Sequence, residues 1–216
     1  MIKKFVKALV YLTYYNICLL ILANSIYLDL ITLTIIVLDQ LVAFADIMIR
    51  PSTPLEDADT TTKIVGILLL LHPFILGILF YENLFLTSIY LPTLDTQIIS
   101  YIGIIVYMVG GAVVLASRIR LGRYGDGTTA IKGDHQLLSD GIYKHIRHPL
   151  YSGALLGRVG IGLTFRSYFG MILFSAVYLW VFMKRMDIEE ETLKVEIGKD
   201  YEEYMARTKR LIPHLY

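Results

Sequence analysis

Long uninterrupted apolar segments constrain the fold of this chain more than any other feature. The hydrocarbon core of a bilayer is about 30 Å thick and takes about 20 apolar residues of helix to cross. Four segments reach that length, and two shorter ones follow with only a short turn at 165–167 between them. We therefore predict an all-α, polytopic membrane helical bundle of about six segments, at residues 6–28, 30–49, 64–86, 98–117, 150–164 and 168–184.

The overall composition agrees with a membrane protein. Of 216 residues, 56% are hydrophobic and 18% are charged, and the mean hydropathy is positive, which is too apolar for an ordinary soluble domain. The net charge of +1 gives no sign of a nucleic-acid partner. The single cysteine, Cys18, excludes an intrachain disulfide and a two-cysteine metal site. We predict no metal centre, and the oligomeric state is left open.

The distribution of cations predicts the orientation in the membrane. Three lysines precede the first segment, six Lys or Arg residues lie in 118–148, and seven follow Met183. The opposite side receives almost none besides Arg166. Because cytoplasmic loops collect Lys and Arg, we expect both termini to be cytoplasmic. The chain then divides into four membrane helices in 1–117, a cytoplasmic connecting loop at 118–149, a membrane helical hairpin at 150–184 and C-terminal cytoplasmic helices at 185–216.

The C-terminal tail carries its own helix signals. Continuing the last membrane helix to Ile197 gives about 30 residues, or roughly 45 Å, so this helix projects beyond the bilayer. Gly198 is a plausible end for it. Asp200 and Glu203 have the spacing of a capping box and predict the start of a second helix.

A basic and aromatic cluster, "KHIRHPLYSG" at 144–153, stands at the start of the fifth segment. At a membrane boundary such a cluster is typical of an anchor for lipid headgroups. His148 fits that interpretation poorly, because the following Pro149 restricts the backbone of His148 and holds its side chain in one direction. Tyr151 and Gly153 lie on the first turn of the helix, where a small residue permits the close approach of another group.

A second cluster follows the sixth segment. Arg185 precedes Glu189 and Glu190 by four and five residues, which is compatible with a simple ion pair on a solvated helix face. Three successive carboxylates, at 189–191, favour mutual repulsion and leave room for a cationic ligand. A cofactor with an amino group, a carboxylate and a sulfonium would match acids and bases that are held side by side.

The two clusters together resemble a known family. Arg147-His148-Pro149-x-Tyr151-x-Gly153 is similar to the signature of integral-membrane methyltransferases, and "LLSDGIY" at 137–143 resembles the segment that leads into it. The tail "RMDIEEETLKVEIGKDYEEYMARTKRLIP" at 185–213 resembles their C-terminal pattern. The resemblance is to the isoprenylcysteine carboxyl methyltransferase family, with phospholipid N-methyltransferases as close relatives. It covers about the last 80 residues.

The resemblance implies a pocket for S-adenosylmethionine on the cytoplasmic face, within 118–216. It assigns cofactor binding to Arg147, His148, Tyr151, Gly153, Glu189 and Glu190. Arg185 and Glu189 are the catalytic candidates, with Arg185 either gripping an acceptor carboxylate or pairing with Glu189. The expected acceptor is a lipophilic substrate drawn from the membrane lipids, most simply the carboxylate of a prenylated cysteine or a similar lipid acid.

Three other functions stay open at this point. A phospholipid amine N-methyltransferase is one, and a non-enzymatic lipid-binding or transport protein is another. Membrane sterol reductases carry a related motif with Asn and Glu where this chain has Leu150 and Ala154, which disfavours them. Gly160 and Gly162 resemble the short Gly-x-Gly of the phospholipid enzymes, although glycines in membrane hairpins are as often packing residues.

Polar residues also occur inside the predicted spans. Asp39 and Asp46 lie seven residues apart on one face of the second helix, where ionisable groups are costly and usually face inward. They have Arg158 as a possible partner, although Asp46 is close enough to the boundary to reach water instead. His72 and Pro73 are interpreted as a kink in the third helix.

Overall fold

The computed structural model describes residues 2–22, 29–50, 60–90, 96–122 and 137–213, which are mostly helical. The helices are α1 (Ile2–Leu22), α2 (Leu30–Ile49), α3 (Thr60–Glu82), α4 (Ser88–Tyr90), α5 (Gln97–Leu121), α6 (Pro149–Thr164), α7 (Tyr168–Ile197) and α8 (Lys199–Arg207). A π-helical turn, Asn83–Thr87, joins α3 to α4, and a 3-10 turn, Gly141–Lys144, precedes α6. The all-α prediction is confirmed, since the described part of the chain contains only an isolated bridge between Ile146 and Lys209.

Five helices are long and apolar enough to cross a membrane: α1, α2, α3 with its π-helical turn, α5 and α7. Helix α6 has 16 residues and is roughly 24 Å long, which is shorter than the hydrocarbon core. The turn after α6 nevertheless lies at the same end of the bundle as the starts of α2 and α5, because Arg166, Asp29 and Gln97 line one small polar cavity. The membrane helical bundle is confirmed, and a sixth crossing by α6 stays a prediction.

Glycines let α5 and α6 pack with their backbones in direct contact. A Cβ atom at Gly160 would lie 2.4 Å from the backbone nitrogen of Tyr107, and one at Gly110 would lie 2.6 Å from that of Gly157. Gly153 has the same role, since a Cβ there would lie 2.7 Å from the carbonyl oxygen of Gly110. These glycines are therefore packing residues of the α5–α6 interface.

The turn between α6 and α7 is held by a buried carboxylate from α3. Glu82 accepts hydrogen bonds from the backbone N–H groups of Phe169 (2.9 Å) and Gly170 (2.7 Å), at the start of α7. A carboxylate is well placed there because the first N–H groups of a helix have no partner within it. Gly162 packs at the same turn, where an added Cβ would lie 2.4 Å from the Cβ of Met171.

Asp39 is the centre of a buried polar network inside the bundle. It accepts hydrogen bonds from the hydroxyls of Tyr15 (3.0 Å) and Tyr107 (2.9 Å), and it lies 2.9 Å from Nε2 of His72. Arg158 reaches Asp39 through His72, with Nη1 of Arg158 3.1 Å from Nδ1 of His72. His72, interpreted from sequence as part of a kink, is thus a hydrogen-bonded link between two charged groups.

Asp46, in the last turn of α2, links α2 to α5. Its carboxylate accepts from Nη2 of Arg50 at 2.6 Å and from Nε of Arg118 at 2.7 Å. The idea that Asp46 merely reaches for water is therefore wrong, because both oxygens are engaged by arginines and the side chain is 16% exposed.

Helix α7 runs without interruption through its 30 residues and ends at Gly198, as predicted. Gly198 has a φ of 68°, a left-handed conformation that suits glycine. The predicted capping box is wrong, because α8 begins at Lys199 and Gly198 is its N-cap. Asp200 already lies in the first turn of α8 and comes too late in the chain to cap it.

Candidate functional site

The candidate site forms where the start of α6, the middle of α7 and the C-terminal segment 208–211 meet. The backbone N–H of Arg147 donates to the carbonyl of Lys209 at 2.7 Å, and that of His148 donates to the carbonyl of Arg210 at 3.0 Å. The tail therefore holds the backbone of the signature loop in an extended pairing.

His148 is held in a single direction by the chain around it. It is the N-cap of α6, with a non-helical φ of −122° and ψ of 56°, and Pro149 follows at the first helical position. The side chain is buried, with Nε2 3.0 Å from Oε1 of Glu190 and Nδ1 3.6 Å from Oε2 of Glu189. The backbone of His148 lies outside the helical region, as expected before a proline, although its ψ is smaller than that of extended chain.

Glu190 is the buried centre of the cluster. Its side chain is 2% exposed, and Oε1 accepts from Nε of Arg147 at 2.9 Å while Oε2 accepts from Nη2 of Arg210 at 2.7 Å. The expected repulsion between successive carboxylates is wrong for Glu190, because both of its oxygens are paired with cations of the protein, and cofactor binding by Glu190 stays a prediction. Arg210, which also pairs with Asp187 at 2.9 Å, was not predicted from the sequence.

Glu189 belongs to a second group of three side chains. The hydroxyl of Tyr151 donates to Oε1 of Glu189 at 2.5 Å and accepts from Nε of Arg185 at 2.7 Å. Arg185 also donates to Glu189 at 2.9 Å, so the i,i+4 ion pair considered from the sequence is present. A further bond of 2.7 Å, from Nη1 of Arg185 to Oγ1 of Thr62, brings the start of α3 to the site.

Aromatic rings form one wall of the site. The ring of Tyr151 stacks on Phe182 with centroids 4.7 Å apart and on His148 at 5.6 Å. Phe182 lies three residues before Arg185 and seven before Glu189, so the three share one face of α7. This spacing is visible in the sequence, and it would have identified Phe182 as a site residue.

The structure brings together all but one of the predicted site residues, namely Arg147, His148, Tyr151, Arg185, Glu189 and Glu190. Gly153 instead approaches the backbone of α5, so contact with a cofactor stays a prediction for it. Glu189 retains binding capacity, because its side chain is 21% exposed and Oε2 makes only the 3.6 Å approach to His148 among the described residues. The cluster thus offers an acid with room for a cation, surrounded by arginines.

Three tyrosines support the tail beneath the site. The hydroxyl of Tyr204 donates to the carbonyl of Tyr143 at 2.6 Å. Burial raises the pKa of Tyr204 to about 12, and it also raises the pKa values of Tyr143 and Tyr201 above the ordinary range. These phenols therefore remain neutral at physiological pH and act as packing and hydrogen-bonding groups.

Comparison with known proteins identifies one family model, described as phospholipid methyltransferase, that matches residues 98–199. The matched range contains α6, all of α7 and every predicted site residue.

Curated relatives are similar to part of the chain. A probable protein-S-isoprenylcysteine O-methyltransferase of Oryza sativa subsp. indica is 29% identical over 119 residues, which are 54% of this chain and 62% of that protein. The protein-S-isoprenylcysteine O-methyltransferase of Schizosaccharomyces pombe is 35% identical over 80 residues, which are 37% of this chain and 34% of that protein. The matches therefore span less than two thirds of these relatives' own lengths.

The structural likeness to known proteins covers more of the chain than the sequence likeness does. A solved structure of the eukaryotic intramembrane Ras methyltransferase ICMT (isoprenylcysteine carboxyl methyltransferase) superposes with a TM-score of 0.57 at 18% identity, over 99% of this chain and 96% of that one. Because it covers 99% of this chain, the likeness includes α1–α4, which lie outside the range that the family model matches. The family model, the curated relatives and the common fold all agree with the resemblance of this chain to the isoprenylcysteine carboxyl methyltransferase family.

Proposed function

We propose that this protein transfers the methyl group of S-adenosylmethionine to a lipid-linked carboxylate at the membrane surface. The observation that carries the proposal is the convergence of two paired glutamates, their arginine partners and a stacked aromatic wall where α6 and α7 leave the apolar bundle. A lipophilic acceptor can then keep its tail in the bilayer while its head reaches the polar cluster.

The side chains present fit this cofactor in charge and in shape. When bound, S-adenosylmethionine supplies a methyl group on a sulfonium, which is already a good leaving group. Oε2 of Glu189 is the acceptor available for an ammonium group, because Oε1 is occupied by Tyr151 and Arg185. The stacked rings of His148 and Tyr151 provide a flat surface beside that acid.

We propose that Arg185 chiefly orients the side chains of Tyr151 and Glu189. It is 4% exposed and donates to Tyr151, Glu189 and Thr62, so it holds the acid and the phenol in fixed positions. Because methyl transfer depends on alignment of the reacting groups and exclusion of water, such orientation contributes directly to the rate.

The geometry favours a carboxylate acceptor over an amine. A carboxyl group has an ordinary pKa near 4, so it is ionised at neutral pH and needs no base before it attacks. An amine must first lose a proton. His148 is poorly placed to take that proton, since Nε2 and Nδ1 face the carboxylates of Glu190 and Glu189 at 3.0 and 3.6 Å.

The proposal includes the orientation predicted from the cations. We place the cluster, the tail and both termini on the cytoplasmic side, where the excess of Lys and Arg lies. The acceptor then approaches from the cytoplasmic leaflet.

The acceptor is tested by product chemistry. Membranes that contain the protein are incubated with radiolabelled S-adenosylmethionine and either a farnesylated cysteine analogue or phosphatidylethanolamine. We expect label in the cysteine analogue that is released as volatile methanol by mild base, because a carboxyl methyl ester is base-labile. Base-stable label in phospholipid alone would overturn the choice of acceptor and leave the cofactor assignment intact.

Phospholipid amine methylation is the second candidate, and the match of the phospholipid methyltransferase model to 98–199 is the observation that favours it. A non-enzymatic lipid-binding role is separated from both by calorimetry. We expect purified protein to bind S-adenosylmethionine and its demethylated product, and we expect Glu189→Gln and His148→Ala each to weaken binding. If folded, delipidated protein binds neither compound, the non-enzymatic role is favoured.

A further inference from the structure

Side chains from six helices meet in one polar network near the middle of the bundle. They are Tyr15 of α1, Asp39 of α2, His72 of α3, Tyr107 of α5, Arg158 of α6 and Tyr178 of α7. Ionisable groups at this depth are costly in a membrane protein and are retained where they have a function. The functional site described above uses none of the six.

The contacts indicate where the charges of the network lie and which nitrogen of His72 carries the proton. Arg158 has no acceptor atoms, so the nitrogen of His72 that faces it, Nδ1 at 3.1 Å, must accept a hydrogen bond. The proton of a neutral His72 then lies on Nε2 and points to Asp39 at 2.9 Å. The negative charge of Asp39 is balanced by Arg158 through this histidine, and two tyrosine hydroxyls complete its hydrogen bonds.

Arg158 is also connected to the candidate site along α6. It follows Tyr151 by seven residues, which places both on one face of the helix about 10 Å apart. The guanidinium of Arg158 lies 4.7 Å above the ring of Tyr178, and the ring of Tyr151 stacks on Phe182 at 4.7 Å. Tyr178 and Phe182 touch each other at 5.8 Å, so contact is continuous from Asp39 to Tyr151.

The opposite face of α6 is held in a different way. There the glycines bring its backbone against α5, with atoms of Gly110 and Tyr107 at the positions where side chains would stand. Such a face fixes the distance between helices, whereas the face that carries Tyr151 and Arg158 fixes the rotation and depth of α6 against α7.

We propose that Arg158, anchored to Asp39 through His72, is a positioning residue for methyl transfer. It sets the rotation and depth of α6, so that the hydroxyl of Tyr151 lies between Arg185 and Glu189. This role rests on the proposed function, because the activity to be measured is the proposed methyl transfer. Loss of this positioning should reduce the rate measurably, because a displacement of about 1 Å in an active site can reduce the rate about 100-fold.

The test compares a single variant with a double variant. Arg158→Met leaves the charge of Asp39 unbalanced, so it should lower both thermal stability and affinity for S-adenosylmethionine. Asp39→Asn combined with Arg158→Met removes both charges and should restore the melting temperature. We expect the double variant to keep a Kd about tenfold above that of the unmodified protein and a kcat about 100-fold below it.

Glu82→Gln is the matched control. It alters another buried carboxylate of the bundle, which contacts the start of α7 instead of the network. We expect it to lower the melting temperature while the Kd stays within about threefold of the original. If the double variant recovers both stability and affinity, the network only balances charge and the positioning role is overturned.

Amide hydrogen exchange gives a readout that needs no ligand. In the double variant we expect faster exchange at residues 150–155, in the first turns of α6, than in the unmodified protein or in Glu82→Gln. Unchanged exchange there would overturn the positioning role alone. If the unmodified protein fails to bind S-adenosylmethionine, the proposed function is overturned, and the exchange result still decides the role of Arg158.

Discussion

At the scale of single residues, Glu189 and Glu190 show how neighbours of the same type take different tasks. Glu190 is buried, and both of its oxygens are bonded to arginines from the signature loop and the tail. Glu189 is partly exposed and keeps one oxygen with a single long contact. We therefore attribute assembly of the site to Glu190 and ligand binding to Glu189.

Glu190→Gln should destabilise the protein. The change leaves Arg147 and Arg210 beside a neutral group in a buried setting, which typically costs about 3 kcal/mol. The free energy of unfolding in detergent measures it. Glu191→Gln is the control, because that side chain is 72% exposed and the expected change is below about 0.5 kcal/mol. Equal effects of the two changes would contradict the assignment.

Tyr151→Phe should weaken binding of S-adenosylmethionine about tenfold and destabilise the protein moderately. The ring and its stacking on Phe182 remain, whereas the hydroxyl between Arg185 and Glu189 is removed, a loss of about 1.5 kcal/mol in charge-assisted hydrogen bonds. Calorimetry measures the affinity. Tyr14→Phe removes a hydroxyl bonded at 2.7 Å to the carbonyl of Leu70, away from the site, and should leave binding unchanged. Unaltered affinity in Tyr151→Phe would exclude its role.

The residues of the site were only partly predictable from the sequence. Spacing and family resemblance identified those within 147–190, because both motifs are local in the chain. Arg210 and Thr62 were missed because their partners are 20 and 123 residues away, and no local pattern records such a contact. The engagement of Glu190 was misjudged for the same reason: repulsion between adjacent carboxylates is local, and the cations that overcome it come from elsewhere.

At the scale of elements, the backbones of α5 and α6 lie in direct contact. This contact depends on glycine at positions where the two backbones touch. The sequence predicted both helices from their apolar length but left the role of these glycines open, because their spacing does not distinguish packing from ligand contact. The bounds of α7 were predicted well, since a long pattern and a terminal glycine agree there.

Gly160→Ala should separate these helices and destabilise the protein by about 2 kcal/mol. The added methyl would lie 2.4 Å from the backbone nitrogen of Tyr107, which cannot move without moving α5. Gly66→Ala is the matched control, since nothing lies within 4 Å of its added Cβ and alanine favours the helix by about 0.5–1 kcal/mol. Melting temperatures should therefore change in opposite directions, and a shared direction would contradict the packing role.

At the scale of the whole molecule, the charged groups that the structure describes outside the Asp39 network lie at the two ends of the bundle. One end carries the signature loop, the projecting half of α7 and the tail. The other carries the turn after α6 and the start of α5, which meet at the small polar cavity. This arrangement gives the hairpin of α6 and α7 a definite polarity across the bundle, although α6 alone is short for a full crossing.

Cysteine labelling tests that polarity in a Cys18→Ala background. A cysteine at Gln97, which is exposed at the start of α5, should react with an impermeant thiol reagent in intact cells. A cysteine at Glu191, on the projecting part of α7, should react only after permeabilisation. The reverse pattern would place the site outside and contradict the orientation predicted from the cations.

The backbone pairing between the signature loop and the tail also sets the order in which the protein matures. Chains emerge from the ribosome with the N-terminus first, so all of the membrane helices are synthesised before residues 208–211 exist. Until then Arg147 and His148 lack the carbonyl partners that hold them, and Glu190 lacks Arg210. The nascent chain can therefore insert and pack its bundle while the site stays incomplete, and the site is completed when residues 208–211 fold back onto the signature loop.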